Sequence, residues 1–310
     1  MKKLAFFAAV LIIPGLFVSC EKKPEPDRGI SVVTTIFAPY DFVKAITGGK
    51  VELSMLLKPG AESHSYEPTP QDIIAIRNSD IFIYVGGESD EWVEEVLESI
   101  DDAEMEIITL MDCVDLVEEE IVEGMEEEDV EEEGIAYDEH VWTSPANARR
   151  IVEKISAALR AADPANADVY RANAEAYKKE LEGLDAAFKS VADSAARRTL
   201  VFGDRFPFRY FTDAYGLDYF AAFPGCSTET ECSAATIAFL INKVRDEEIP
   251  VVFHIEFSNG RIADTICEAT GARKRILHSA HNISRDELAA GATYLDIMKR
   301  NAETLKEALL

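Results

Sequence analysis

Apolar and polar positions along this chain follow two different periods. Short runs rich in β-branched and aromatic residues read as strands: Ser31–Phe37, Val51–Leu57, Ile81–Gly86, Glu104–Thr109, Thr199–Gly203, Leu217–Phe223, Pro250–Glu256 and Arg275–His278. Between them, apolar residues recur every three or four positions, the spacing of helices with one buried face. These segments lie near Asp41–Thr47, Pro70–Asn78, Ser89–Ser99, Pro145–Ala161, Phe206–Tyr215, Ala234–Glu247, Arg261–Thr270 and Thr293–Leu309. The alternation predicts an α/β chain made of two parallel-sheet βα units in series.

One helical stretch is much longer than the rest. From Pro164 to Ala195, apolar residues keep helical spacing at Val169, Ala172, Ala176, Leu181, Leu184, Phe188 and Val191. Asp163 stands as cap and Pro164 at the first helical position. A single helix here would extend on the order of 45 Å and span both halves. Two shorter helices broken at Gly183 are the alternative.

The first residues read as a targeting segment. Lys2 and Lys3 precede an apolar run, Leu4–Val18, that is short for a membrane span. The run ends in Leu16-Phe17-Val18-Ser19-Cys20, which resembles the lipobox of bacterial lipoproteins, with Phe17 in place of the usual Leu. Cys20 is then the lipid-modified first residue of the mature chain, and 21–30 a flexible tether. An ordinary secretory signal with an incidental Cys is the alternative.

Charge narrows the classes of partner. The 310 residues carry a net charge of −27, which argues against nucleic acid. Much of it sits in Val117–Glu139, where thirteen of 23 residues are Asp or Glu and none is Lys or Arg. This insert reads as a solvated loop or as a loose, oxygen-rich collector of divalent cations. Beyond Cys20 the cysteines are Cys113, Cys226, Cys232 and Cys267. Outside the cytoplasm they allow three pairings, and Cys226–Cys232, around a short polar loop, is the favoured bridge. No CxxC is present, which speaks against a cysteine zinc site.

The candidate chemistry lies in the five histidines, all at or near strand ends or loops. His64 follows the run that stops at Pro59-Gly60, and the next helix starts with Thr69 as N-cap, Pro70 first and Asp72 three residues after the cap. That edge of an α/β sheet is where ligands bind. His140 closes the acidic insert just before a helix start at Ser144-Pro145, and Asp138 or Glu139 is placed to accept its second ring N–H. His254 and Glu256 share one strand face by period 2. His278 and His281 end the last strand. Neutral imidazoles so placed point to a metal site.

Two motifs carry a family resemblance. PGAESHSYEPTPQD (59–72) and DEHVWTSP (138–145) resemble segments of the zinc- and manganese-binding solute receptors of bacterial ABC importers. GDRFPFRYFTDAYGL (203–217), VVFHIEFSNGRIADTICEATGA (251–272) and the closing helix are similar to further family segments, so the resemblance covers the chain from about Ser31. It implies two α/β lobes, each with a mainly parallel sheet flanked by helices, joined by one long rigid helix, with the metal in the cleft between them. The implied division is a signal peptide 1–20, a tether 21–30, a first lobe 31–163 containing the insert 117–139, a linker helix 164–195 and a second lobe 196–310. The ligands it implies are His64, His140, Glu256 and His278, with His254, His281 and Asp204 in reserve. Where the family usually has a ligand His, this chain has Gly203-Asp204-Arg205, and Arg205 cannot bind a cation.

Three His and one carboxylate favour Zn²⁺, with Mn²⁺ as the alternative because it prefers more oxygen. The resemblance therefore implies an extracytoplasmic, lipid-anchored, monomeric receptor that captures zinc and hands it to an ABC permease and its ATPase. The long helix should limit hinge motion. Two other classes remain open: a zinc hydrolase with Glu256 as general base, although no HExxH or serine-elbow motif is present, and a surface adhesin or scaffold that uses metal only structurally.

Overall fold

A computed structural model describes residues 29–62, 66–100, 105–125, 136–227 and 231–310. The expected signal peptide with Cys20, most of the tether, His64 and the middle of the acidic insert lie outside the described residues. No helix among the described residues is long and apolar enough to cross a membrane.

The first lobe is built on β1 (Ser31–Thr34), β2 (Glu52–Met55), β3 (Ile81–Tyr84) and β4 (Glu106–Thr109), in the order β2-β1-β3-β4 with every pairing parallel. Helices α1 (Phe37–Thr47), α2 (Pro70–Arg77), α3 (Glu91–Ser99) and α4 (Pro145–Ala162) connect and flank it. The second lobe repeats the plan with β5 (Thr199–Arg205), β6 (Asp218–Phe223), β7 (Val251–His254) and β8 (Arg273–Ile276), in the order β6-β5-β7-β8. Its helices are α6 (Arg209–Tyr215), α7 (Ala234–Asp246), α8 (Arg261–Thr270), α9 (Arg285–Ala289) and α10 (Tyr294–Leu309), with α5 (Ala167–Asp193) running between the lobes. A parallel sheet is covered on both faces, so its inner strands are continuous apolar runs. That holds for β3 and for Val251–Phe253 of β7, and β1, Ser-Val-Val-Thr, is buried throughout, whereas the edge strand β8, Arg-Lys-Arg-Ile, is charged and discourages further pairing.

The long helix is unbroken through Gly183, but it starts three residues later than the pattern predicted. Pro164–Asn166 form a 3₁₀ turn, because Asp163 accepts from Asn166 Nδ2 and from Tyr170 Oη, each at 2.7 Å, instead of capping Pro164. Helix α5 packs against α1 and α4 of the first lobe and against α6 and α10 of the second. Leu181, Leu184, Phe188 and Val191 all face inward. Burying each is worth roughly 1.5–3 kcal/mol, enough to hold both lobes to one rod.

Other boundaries shift by one to four residues. One of them matters for the site: β7 ends at His254, not at Glu256, and Phe257 follows with a left-handed φ of 60°. His254 and Glu256 therefore do not share a strand face. Helix α9 was absent from the sequence pattern.

Candidate metal centre

The C-terminal ends of the two sheets meet across a seam of hydrogen bonds. The turn after β8 reaches into the first lobe: Phe37 N–H donates to His281 O at 2.9 Å and Gly60 N–H to Ile283 O at 2.9 Å. Asn282 Nδ2 donates to Lys58 O at 2.8 Å and to Ala61 O at 2.7 Å. In return, Trp142 Nε1 donates to Ser279 O at 2.8 Å, and Tyr294 Oη closes the set on Trp142 O at 2.6 Å.

His140 is fully buried in this seam. Asp138 Oδ1 accepts from its backbone N–H at 2.8 Å and stands 3.3 Å from its ring Nδ1. A proton held on Nδ1 by that carboxylate leaves Nε2 as the electron-pair donor, the usual arrangement for a metal-binding imidazole. Of the two acidic neighbours expected to do this, Asp138 takes the role. Glu139 turns instead to Ser89, accepting from its N–H at 3.1 Å and from its hydroxyl. Burial opposes the charged ring of His140, but Asp138, then Glu139 and Glu119, outweigh it and raise its pKa. Burial also raises the pKa of Glu139 and of Glu119, and for Glu119 the Asp138 charge adds to it. A crowd of buried carboxylates around one imidazole is a place where a divalent cation relieves repulsion.

The ends of the acidic insert are part of this wall. Glu118 and Tyr137 form an antiparallel bridge, and Asp138 N–H donates to Val117 O at 3.0 Å. Tyr210 Oη, on α6, donates to Asp138 O at 2.8 Å. The described ends of the insert thus border the site.

From the second lobe, His281 brings a second imidazole beside His140. Its ring centroid is 5.6 Å from that of His140 and 4.9 Å from that of Trp142. Beside it lies a cavity of about 20 Å³ lined by Glu62, Pro207, Glu256, Ser279 and His281, among others, room for one water-sized guest. Glu256 underpins this turn: Oε2 accepts from Ser279 N–H at 2.7 Å, and Oε1 accepts from Ser279 Oγ at 2.6 Å and from His281 N–H at 3.2 Å. His278 is held by Asn301, which bonds both its backbone N–H and its C=O, while its Nδ1 accepts from Ala280 N–H at 3.0 Å. His254 is directed elsewhere, towards Gly260, with its Nδ1 3.1 Å from Ile255 O; burial lowers its pKa. Asp204 is engaged by Arg205 N–H, Ile255 N–H and the Ser258 hydroxyl.

Sequence reasoning missed one neighbour. Glu139, His140 and Cys226 offer ligand atoms that all lie within 4.8 Å of one another. The favoured Cys226–Cys232 bridge is not formed, because Cys226 is a free thiol. The loop after β6 turns Cys226 towards His140 instead. Its thiol pKa is pushed well up by burial and then by the charges of Glu139, Asp138 and Glu119. Only the strand order would have revealed this neighbour.

Two α/β lobes on one long helix, with two imidazoles buried among carboxylates at their junction, fit the class of metal-binding solute receptors. The chain belongs to the family described as ZnuA, zinc-uptake complex component A, periplasmic, whose model matches residues 32–308. It is 30% identical over 311 residues to the high-affinity zinc uptake system protein ZnuA of Bacillus subtilis, covering 98% of this chain and 95% of that protein. It is 29% identical to the zinc-binding lipoprotein AdcA of Streptococcus pneumoniae over 99% of this chain but only 61% of that longer protein. The Zn(II)-bound ZnuA-like domain of that AdcA superposes with a TM-score of 0.75 at 27% identity, over 91% of this chain and 99% of the domain. These are binding components of zinc uptake, so the hydrolase alternative is not favoured.

Proposed function

We propose that this chain is a zinc receptor that captures Zn²⁺ between its lobes and delivers it to an ABC permease driven by its ATPase. The observation that carries the reading is the buried His140, oriented by Asp138 and set 5.6 Å from the His281 ring of the other lobe. His140 and His281 act as ligands, and His64, from the motif that most resembles the family, completes the imidazole set. Glu256 and His278 serve from behind, Glu256 by fixing the backbone of the His281 turn. Asp204 and His254 hold local structure. A nitrogen-rich set favours zinc over manganese. Cys20 anchors the mature chain, a monomer, to the outer face of the membrane by a lipid.

The test is calorimetric titration of metal-stripped protein beginning at Glu21, which keeps every described residue, with Zn²⁺ and then with Mn²⁺ as competitor. One tight zinc site is expected, surviving excess manganese and lost in His140→Ala and His64→Ala. Weak, multiple binding alone would overturn the receptor reading, and a preference for manganese would overturn the choice of cargo.

A further inference from the structure

The loop after β5, where the family resemblance expects a ligand histidine, is occupied otherwise. Arg205 Nη1 donates to Glu62 Oε1 and to Ser227 O, each at 3.0 Å, and the guanidinium is buried. Asp204 beside it is taken up by the 255–258 turn. This loop supplies no donor to a cation, so the second lobe is one ligand short. The next loop along the sheet makes up the difference.

We propose that the Cys226 sulfur is a zinc ligand, which places one thiolate beside the His140 imidazole; this rests on the receptor reading above. Four observations converge. The Cys226 sulfur lies within 4.8 Å of a His140 ring nitrogen and of a Glu139 oxygen, the separation of donors that share one ion. The thiol is free of any disulfide. The preceding Gly225 eases the approach: a Cβ there would crowd the site, standing 3.1 Å from His140 Cε1, 3.2 Å from Asp138 Oδ2 and 3.0 Å from Phe206 O. Gly225 N–H is fastened to Glu119 Oε1 at 2.8 Å and Ser227 O to Arg205, so the loop is held on both sides of Cys226.

The fourth observation is topological. In the shared strand order, β6 takes the place of β2 and β8 that of β4. His64 follows β2 and His140 follows β4; Cys226 follows β6 and His281 follows β8. By chain order these loops are equivalent in the two lobes, and the second lobe's loop after β6 carries a cysteine. Its loop, not the one after β5, completes the second lobe's share. Binding then exchanges a proton for the metal: Cys–SH + Zn²⁺ gives Cys–S–Zn⁺ + H⁺. Sulfur with imidazole nitrogen selects zinc and discriminates against manganese, which prefers oxygen.

Cobalt(II) provides the test, because a thiolate bound to it gives an intense near-ultraviolet charge-transfer band that imidazole and carboxylate do not. The wild-type chain from Glu21, loaded with one equivalent of Co²⁺, is expected to show that band, and Cys226→Ser to lose it. The triple variant C113S/C232S/C267S, which leaves Cys226 as the single cysteine of that chain, is expected to keep it. Zinc affinity in Cys226→Ser should fall by more than the roughly 10–100-fold that outer partners of a metal site are worth. Stoichiometric cobalt binding without the band, or a band that survives Cys226→Ser, would overturn the sulfur ligand and leave the receptor reading intact. Failure of the wild-type chain to bind either metal stoichiometrically would overturn both.

Discussion

Replacing Glu256 with Gln separates a ligand from a residue that holds a ligand. The carboxylate accepts three hydrogen bonds, one on Oε2 from Ser279 N–H and two on Oε1 from Ser279 Oγ and His281 N–H. An amide has one acceptor oxygen, so its NH₂ must face one of these sides. Placed at the Oε2 side, it confronts the Ser279 N–H, which then has no partner. Placed at the Oε1 side, it donates to Ser279 Oγ, and His281 N–H falls back on that same hydroxyl, already 3.2 Å away. The second arrangement costs less: about one bond to a charged group, on the order of 2 kcal/mol. For a chain of this size each kcal/mol moves Tm by about 2–4 °C, so Glu256→Gln should melt roughly 4–8 °C below the parent without metal. Zinc affinity should drop only about 10–100-fold, because His281 is still there but less well aimed. Differential scanning calorimetry and competition against a chromophoric chelator measure the two quantities. An unchanged Tm with a loss of zinc binding as complete as in His140→Ala would mean that Glu256 touches the ion itself, and the reasoning would be refuted.

The remaining predictions concern the acids around the site. Asp138→Asn keeps the shape but no longer favours the Nδ1–H form of His140; zinc affinity by chelator competition should fall about 10–100-fold with Tm nearly unchanged, and an unaltered affinity would show that Asp138 does not orient the ring. Asp90, which accepts from Val85 and Gly86 N–H, has its pKa pushed by burial from 3.8 up to about 7. The folded chain therefore binds this proton more tightly than the unfolded chain, and the stability it gives is present below pH 3.8 and lost as pH rises towards 7. Urea midpoints should be higher at pH 5 than at pH 8, and Asp90→Asn should recover more at pH 8, up to a few kcal/mol, than at pH 5; identical pH profiles would contradict this.

Much of this arrangement was legible along the chain because local rules and the fold agree. The α2 start was signalled by Thr69, Pro70 and Asp72, and the structure forms that capping box. Ser144-Pro145 likewise marked the start of α4 just beyond His140. The parallel order of both sheets followed from the alternation of periods. What failed depends on contacts between distant segments. His254 and Glu256 looked like one face because nothing local ends β7 at His254; the left-handed Phe257 and the Asp204 bonds to Ile255 and Ser258 do. His278 and His281 are only three residues apart, and which faces His140 is decided by Asn301, from α10, gripping the backbone of His278. Cys226 and Cys232 looked like partners by spacing, yet sheet order brings Cys226 to a histidine on the other lobe. Spacing along a chain carries no information on which loops meet.

The seam between the lobes has a further consequence. Its bonds from Phe37 to His281, Gly60 to Ile283, and Asn282 to Lys58 and Ala61 run between the chain's own groups, and α5 braces both sides. A receptor that must swing shut populates its competent form only in part, and its apparent affinity is weakened by that fraction. The seam and α5 predict matching solution-scattering profiles with and without zinc, and an intrinsic affinity expressed undiluted. On that prediction the usual sign of occupancy, a change of silhouette, is lost. What would then distinguish filled from empty molecules is a localized change of charge among Asp138, Glu139 and Glu119, and the proposed permease would have to read that field, which weakens with salt, rather than a change of shape.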